Sequence, residues 1–132
     1  MGDRPNPFRS WNEVEPHSFR PGVKLHAIGG DQVLLCRVSY EPGTRVSRHA
    51  HEACEQVMVI LEGDATVTIE GDSRRLGPGD VVVVSRGLEH EVSSEGGCVF
   101  FEALAPVPLD HVPDFERDLV LGPDRGSAHV ER

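Results

Sequence analysis

The chain has 132 residues, which fits one domain with a modest core. Its hydrophobic fraction of 38% and charged fraction of 27% are those of a soluble globular protein. The formal net charge of −9 argues against DNA, RNA or an anionic membrane as the main partner.

Residues 1–22 are expected to be irregular, because Pro5, Pro7, Pro16 and Pro21 break any helix. The opening Met1-Gly-Asp-Arg-Pro-Asn-Pro is polar and has no apolar signal core, and no run in the chain is long enough to span a bilayer. Asn6 breaks the myristoylation pattern. Cys36, Cys54 and Cys98 are odd in number and form no CxxC, so reduced thiols and a cytoplasmic location are expected.

From residue 23 onward, short apolar runs alternate with Gly, Pro and Asp. Strands are predicted at 23–28, 33–40, 45–49, 56–62, 65–70, 81–85, 91–93 and 98–105, separated by turns such as Pro42-Gly43, Gly63-Asp64, Gly71-Asp72 and Gly96-Gly97. This rhythm predicts an all-β sandwich or barrel. Residues 57–61 and the four valines at 81–84 are apolar on both faces, so one face lines an interior and the other needs a cover. That cover could be another sheet, the chain ends or a second subunit; a homodimer is expected. Near the end, Asp114-Phe-Glu-Arg-Asp-Leu119 predicts a short helical turn followed by a polar tail.

His49 and His51 stand two apart in a stretch that reads as a strand or its edge. A strand repeats every two residues, so both imidazoles should leave the same face. Two neutral ring nitrogens side by side are half of a transition-metal site. From Gly43 to Gly63 the chain reads G-x5-H-x-H-x4-Q-x6-G, and from Gly79 to His90 it reads G-x5-S-x-G-x2-H. This pair of spacings resembles the two motifs of the cupin superfamily, with Gln56 where Glu is usual and Ser85 where Pro is usual.

The resemblance implies a single-domain cupin, a double-stranded β-helix or jelly-roll barrel. Its expected bounds are 23–105, with an N-terminal segment at 1–22 and a C-terminal extension at 106–132. It also implies three His and one further ligand around one divalent transition metal ion, here His49, His51, Gln56 and His90. Adjacent strand residues face opposite ways, and the count back from Gly63 selects Gln56 over Glu55. A Gln would offer a neutral carbonyl oxygen where Glu offers a charge, leaving the ion a stronger Lewis acid. Zn, Ni, Mn and Fe(II) all suit such donors.

Other residues carry weaker signals. His17, His26, His111 and His129 show no metal spacing and are expected to be solvated or locally hydrogen-bonded. Cys54 reads as a packed loop residue rather than a reactive thiol. Gly43, Gly63, Gly79 and Gly87 read as turn positions with unusual backbone angles. Glu102 shares a strand face with Cys98, Phe100 and Leu104. If that face looks inward, Glu102 is a carboxylate beside the metal and the candidate catalytic acid or base; a salt bridge to Arg37 or Arg45 is the alternative. Tyr40, Arg37, Arg48, Met58 and Phe100 are candidate pocket or rim residues.

Two groups within the superfamily bear on function. The His-x-His…Glu-Gln pattern looks like the pectin-degradation cupins, which act on unsaturated uronates and follow the last strand with Asp-x-Phe-x-Pro-x-Arg. Here that stretch is Glu102-Ala-Leu104-Ala-Pro106-Val-Pro108, so the aromatic residue and the carboxylate-clamping Arg are gone. The chain also looks like small cupins of aromatic polyketide pathways, which act as cyclases or oxygenases. The expectation is a metal-dependent enzyme on a small enolisable, β-dicarbonyl or phenolic metabolite, with the metal polarising the substrate oxygen and Glu102 or a metal-bound hydroxide moving the proton. A uronate-processing enzyme and a non-catalytic ligand-binding or sensor cupin are the alternatives.

Overall fold

Alternation along the strands decides the architecture. In the computed structural model, Leu34, Cys36, Val38 and Tyr40 are buried while the residues between them are not. The same alternation places Cys98, Phe100, Glu102 and Leu104 inside. The structure describes residues 6–121 and the backbone of residues 129–130. Among these, twelve strands are β1 (His17–Arg20), β2 (Val23–Gly29), β3 (Leu34–Tyr40), β4 (Thr44–His49), β5 (Glu55–Gly63), β6 (Ala65–Ile69), β7 (Asp72–Leu76), β8 (Val81–Val84), β9 (His90–Ser94), β10 (Cys98–Ala105), β11 (Val107–Pro108) and β12 (His129–Val130).

Two antiparallel sheets form the walls of a jelly roll. One has the order β1-β2-β3-β10-β5-β8 and the other β4-β9-β6-β7. The core lies between them. Leu25, Cys36, Met58, Ile60, Phe100 and Leu104 face inward from the larger sheet, and Val46, Ala65, Val67 and Val92 from the smaller. No helix among the described residues is long and apolar enough to cross a membrane.

Four strands were not expected: β1, β7 and the two-residue β11 and β12, which pair with each other in parallel. β1 lies within the segment expected to be irregular. Pro16 and Pro21 flank it instead of interrupting it, and a sheet edge tolerates proline at a strand boundary. β7 has almost no buried residue, so it carries no alternating signal. It is held by a tight hairpin: Ile69 pairs with Asp72 across Glu70-Gly71, both with positive φ, at 48° and 86°.

The C-terminal segment is more than a tail. The predicted helical turn is present as α1 (Phe115–Asp118), capped by Asp114, whose side chain accepts from the backbone of Glu116 and Arg117. Val107, Val112 and Leu119 are buried in the main core, and Val120 N–H donates to the Gly29 carbonyl at 2.8 Å. The rest of the expected polar tail, 122–128 and 131–132, lies outside the described residues. At the other end, a short turn at Trp11–Glu13 lays Trp11 on Phe101, with ring centroids 5.9 Å apart on the outer face of the larger sheet.

Candidate metal centre

His49 closes β4 and His90 opens β9, and the two are cross-strand partners. Their ring centroids are 4.3 Å apart. The register shifts between Val46 and His49, a local irregularity that re-aims the end of the strand. His51 joins them differently from the expectation. The strand stops at His49, so it is the loop that carries His51 round to 5.0 Å from His49 and 5.3 Å from His90. That loop is pinned on two sides: Gly87 N–H donates to the His51 carbonyl at 2.9 Å, and Cys54 Sγ to the Pro106 carbonyl at 3.1 Å. Cys54 is buried and packed, as expected. One ligand atom from each of His49, His51 and His90 lies within 4.8 Å of the other two, so this group could hold a metal ion.

The tautomers suit that role. His49 Nδ1 lies 2.9 Å from the Ser47 carbonyl and His90 Nδ1 lies 3.0 Å from the Leu88 carbonyl. A carbonyl only accepts, so each Nδ1 carries the proton and each Nε2 keeps a bare lone pair. Burial holds His49 below its usual 6.5, the Ser47 hydrogen bond opposes it, and the nearby Arg20 guanidinium pushes the same way as burial.

Gln56 looks inward from β5, while Glu55 and Val57 on either side are exposed. Glu102 lies on the same inner face of β10. Gln56 Nε2 donates to Glu102 Oε1 at 2.5 Å. The carboxylate thus fixes which way the amide points: its NH₂ goes to Glu102, and its oxygen is left over. Gln56 Oε1 and His90 Nε2 are buried without a hydrogen-bond partner. Native interiors seldom strand two such atoms in one cavity, and an electron-pair acceptor between them would satisfy both. The donor set therefore fits a divalent transition metal.

Burial raises the Glu102 pKa above its usual 4.5, while His111 and the Gln56 hydrogen bond draw it back down. The alternative salt bridges do not form: Arg45 pairs with Glu91 at 2.8 Å, and Arg37 points to the other side of β3 from the inward Cys36 and Val38. Tyr40 and Phe100 line the cavity edge to face, 5.4 Å apart, as expected. Met58 is buried beside it, and Arg48 sits outside, 3.7 Å from Glu89.

Spacing gave no sign of His111. It belongs to a short turn, Leu109–His111, beyond the last long strand, and it is only 3% exposed. The expected local hydrogen bond exists, from Nδ1 to Asp110 Oδ1 at 2.8 Å. The ring, however, is in the site: its centroid is 5.8 Å from His51 and 4.7 Å from Phe19 of β1. Phe19 and His111, one from each end of the chain, complete the wall of a cavity of about 40 Å³. That space holds little more than one water-sized group, far below the roughly 300 Å³ of an ordinary small-molecule pocket. His17 and His26 lie away from the site, against Phe19 and Trp11 respectively, and the side chain of His129 lies outside the described residues.

A larger cleft of about 450 Å³ opens between β7 and β8 over Val67, Ile69 and Val82. Its two arginines are paired, Arg74 with Asp72 and Arg75 with Asp64. Among the described residues the histidine group that could hold a metal ion lies in the smaller cavity.

Comparison with known proteins agrees with this geometry. The model of the Cupin_2 family, described as a cupin domain, matches residues 36–103, just over half of the chain. The tetracenomycin polyketide synthase protein TcmJ of Streptomyces glaucescens is 29% identical over 101 residues, covering 72% of this chain and 68% of that protein. The pectin degradation protein KdgF of Dickeya dadantii is 29% identical over 91 residues, covering 67% of this chain and 83% of that one. Some relatives are much longer: a mannose-1-phosphate guanylyltransferase of Escherichia coli is matched over 19% of its length. Among solved structures, an RmlC-like cupin from Shewanella frigidimarina superposes with a TM-score of 0.73 at 20% identity, over 79% of this chain and 94% of that one.

Proposed function

The chain belongs to the cupin family, and from that premise we propose that it is a metal-dependent enzyme acting on a small enolisable metabolite. His49, His51, Gln56 and His90 would hold one divalent transition metal ion, and Glu102 would act beside them. The observation that carries this reading is the pair of buried, unpartnered ligand atoms, Gln56 Oε1 and His90 Nε2, next to the three-histidine group. When bound, the ion would supply Lewis acidity toward a substrate carbonyl or enolate oxygen.

The protein's own groups divide the remaining work. Ser47 and Leu88 carbonyls hold two imidazoles in the ligating tautomer. Glu102 Oε1 holds the Gln56 amide, leaving its second oxygen to move a proton at the substrate carbon. Burial raises its pKa, the direction that makes a carboxylate a better base. Tyr40 and Phe100 exclude water.

The small cavity favours a small substrate. Even an enolisable compound of a few heavy atoms would need Phe19 and His111 to part somewhat, and a polycyclic polyketide or a sugar acid would need them to part much further. Similarity to TcmJ and KdgF keeps both larger substrate classes as second readings. The decisive experiment is elemental analysis of purified protein. About one transition metal ion per chain is expected, with loss of nearly all of it in the His49→Ala/His51→Ala double variant. Unchanged metal content in that variant would refute the site. Glu102→Gln should keep the metal and lose turnover of any substrate identified; a non-catalytic binder would lose little.

A further inference from the structure

A cavity of about 40 Å³ beside the histidine group has no room for a substrate, so part of its wall must yield. His111 is poorly placed to do so. It is 3% exposed, its Nδ1 lies 2.8 Å from Asp110 Oδ1, and Val107 and Val112 on either side of its turn are in the core. Phe19 is better placed. Every other apolar side chain that lines the cavity is buried, whereas Phe19 is only partly so. It comes from β1, the edge strand of the larger sheet, which among the described residues pairs with β2 alone. The register shifts between Ser18 and Arg20, the residues on either side of Phe19, so the ladder is weakest where the ring is held. The flanks of β1 are fixed. Val14 is buried, and the Gly22 carbonyl accepts from Glu41 N–H at 2.9 Å. Of residues 15–21, only Phe19 lines the cavity.

We propose that β1 is a strap that opens this cavity, with Phe19 as its plug. The strap lifts between the anchors at Val14 and Gly22, and the Phe19 ring leaves His111, from which it stands 4.7 Å in this structure. Lifting breaks little: β1 has three ladder positions, and Pro16 and Pro21 at its ends have no N–H to lose. The opening stands on geometry alone; what it admits rests on the metal reading above. A substrate oxygen held at the histidine group would send the rest of the molecule to where the Phe19 ring now lies. Residue 19 therefore sets how long a substrate the site accepts.

The opening is read on metal-free full-length protein by the rate at which diethyl pyrocarbonate acylates His90, mapped by mass spectrometry. His90 Nδ1 is engaged by the Leu88 carbonyl, so the reagent must reach Nε2, which is buried without a hydrogen-bond partner. Phe19→Ala should raise that rate by about tenfold and Phe19→Trp should lower it, with His26 against Trp11 as internal reference. Gly79→Ala supplies general strain away from the strap, since Gly79 has a φ of 90° and open space at its Cβ; it should leave the rate at the wild-type level. Equal rates in the wild type and both Phe19 variants would overturn the proposal. A rise in Gly79→Ala equal to that in Phe19→Ala would also overturn it, because His90 would then be reached by general unfolding. The length limit is read by titrating acetate and hexanoate into the zinc-loaded proteins. Phe19→Ala should shift the preference toward hexanoate by about tenfold; an unchanged ratio would reject Phe19 as the residue that sets length. A wild type that takes up no divalent transition metal would bring down the metal reading and the length limit together, while the labelling rates still decide the strap.

Discussion

Gln56 Nε2 lies 2.5 Å from Glu102 Oε1 in a wall that leaves the two side chains 4% and 7% exposed. A glutamate at 56 would put two carboxylates there, and one would have to take a proton or separate from the other. The unusual amide in the motif thus has a local partner: a carboxylate stands one strand over, at residue 102. Gln56→Glu should destabilise the metal-free protein near neutral pH by about 1–3 kcal/mol. Glu102→Gln should cost less, because its amide oxygen still accepts from Gln56. The double exchange, Gln56→Glu with Glu102→Gln, should recover most of the loss. Thermal unfolding of the four proteins checks this, and strictly additive effects would contradict it. The sign of the pH dependence follows from burial, which raises Glu102 above 4.5 in the folded state. The folded protein then binds more protons than the unfolded chain in the window above 4.5, so the contribution of Glu102 is greatest below 4.5 and falls as pH rises through the folded value. Wild-type stability relative to Glu102→Gln should fall with pH over that window; a rising difference would be inconsistent with a raised pKa. His49, His51, Gln56 and His90 were legible because a motif spaces them along the chain. His111 was not, because no spacing rule reaches from the barrel to a turn after its last long strand.

The strands that sequence reveals are those buried on one face or both. β3 and β10 are continuous apolar runs bounded by turns, and those runs are readable in the sequence. β7 is polar on both faces and exists because a hairpin turn returns it to β6, so hydrophobic pattern could not announce it. β1 was hidden by the prolines at its ends. The motif glycines were legible for a physical reason, since Gly43, Gly63, Gly79 and Gly87 all have positive φ. They are not equivalent, however. A Cβ on Gly43 would meet nothing within 4 Å, whereas on Gly63 it would lie 2.3 Å from the Gly97 carbonyl oxygen and 3.0 Å from Cys98 Cα. Those are backbone atoms at the point where β5 pairs with β10, and they cannot yield without breaking the pair. Gly43→Ala should therefore cost about 1 kcal/mol of backbone strain, and Gly63→Ala more than about 2 kcal/mol. Denaturant unfolding of both variants measures the difference; equal losses would mean that the close approach of β5 and β10 does not constrain the fold.

At the scale of the molecule, the larger sheet has a wet problem on its outer face. Cross-strand register aligns Leu35, Ala103, Val57 and Val83 in one row, with Phe101, Val59 and Val81 in the next. Trp11 covers Phe101, but Leu35, Val57, Val81 and Val83 remain between 37% and 57% exposed. β8 is also a sheet edge made only of valines, the kind of edge that recruits another chain. A second copy would supply a matching apolar face through a two-fold axis, so we propose a homodimer in solution. Light scattering after size exclusion should give twice the chain mass for the wild type and the chain mass for Val57→Glu/Val83→Glu. A monomeric wild type at tens of micromolar, well above the Kd of a stable dimer, would reject this arrangement. The same variant separates assembly from chemistry. His49, His51, Gln56 and His90 all come from one chain, and Val57 and Val83 point away from them on the opposite face of the sheet. The monomeric variant should therefore unfold at a lower temperature yet keep its metal. Loss of metal together with dimerisation would mean that the outer face controls the position of Gln56 across a single strand.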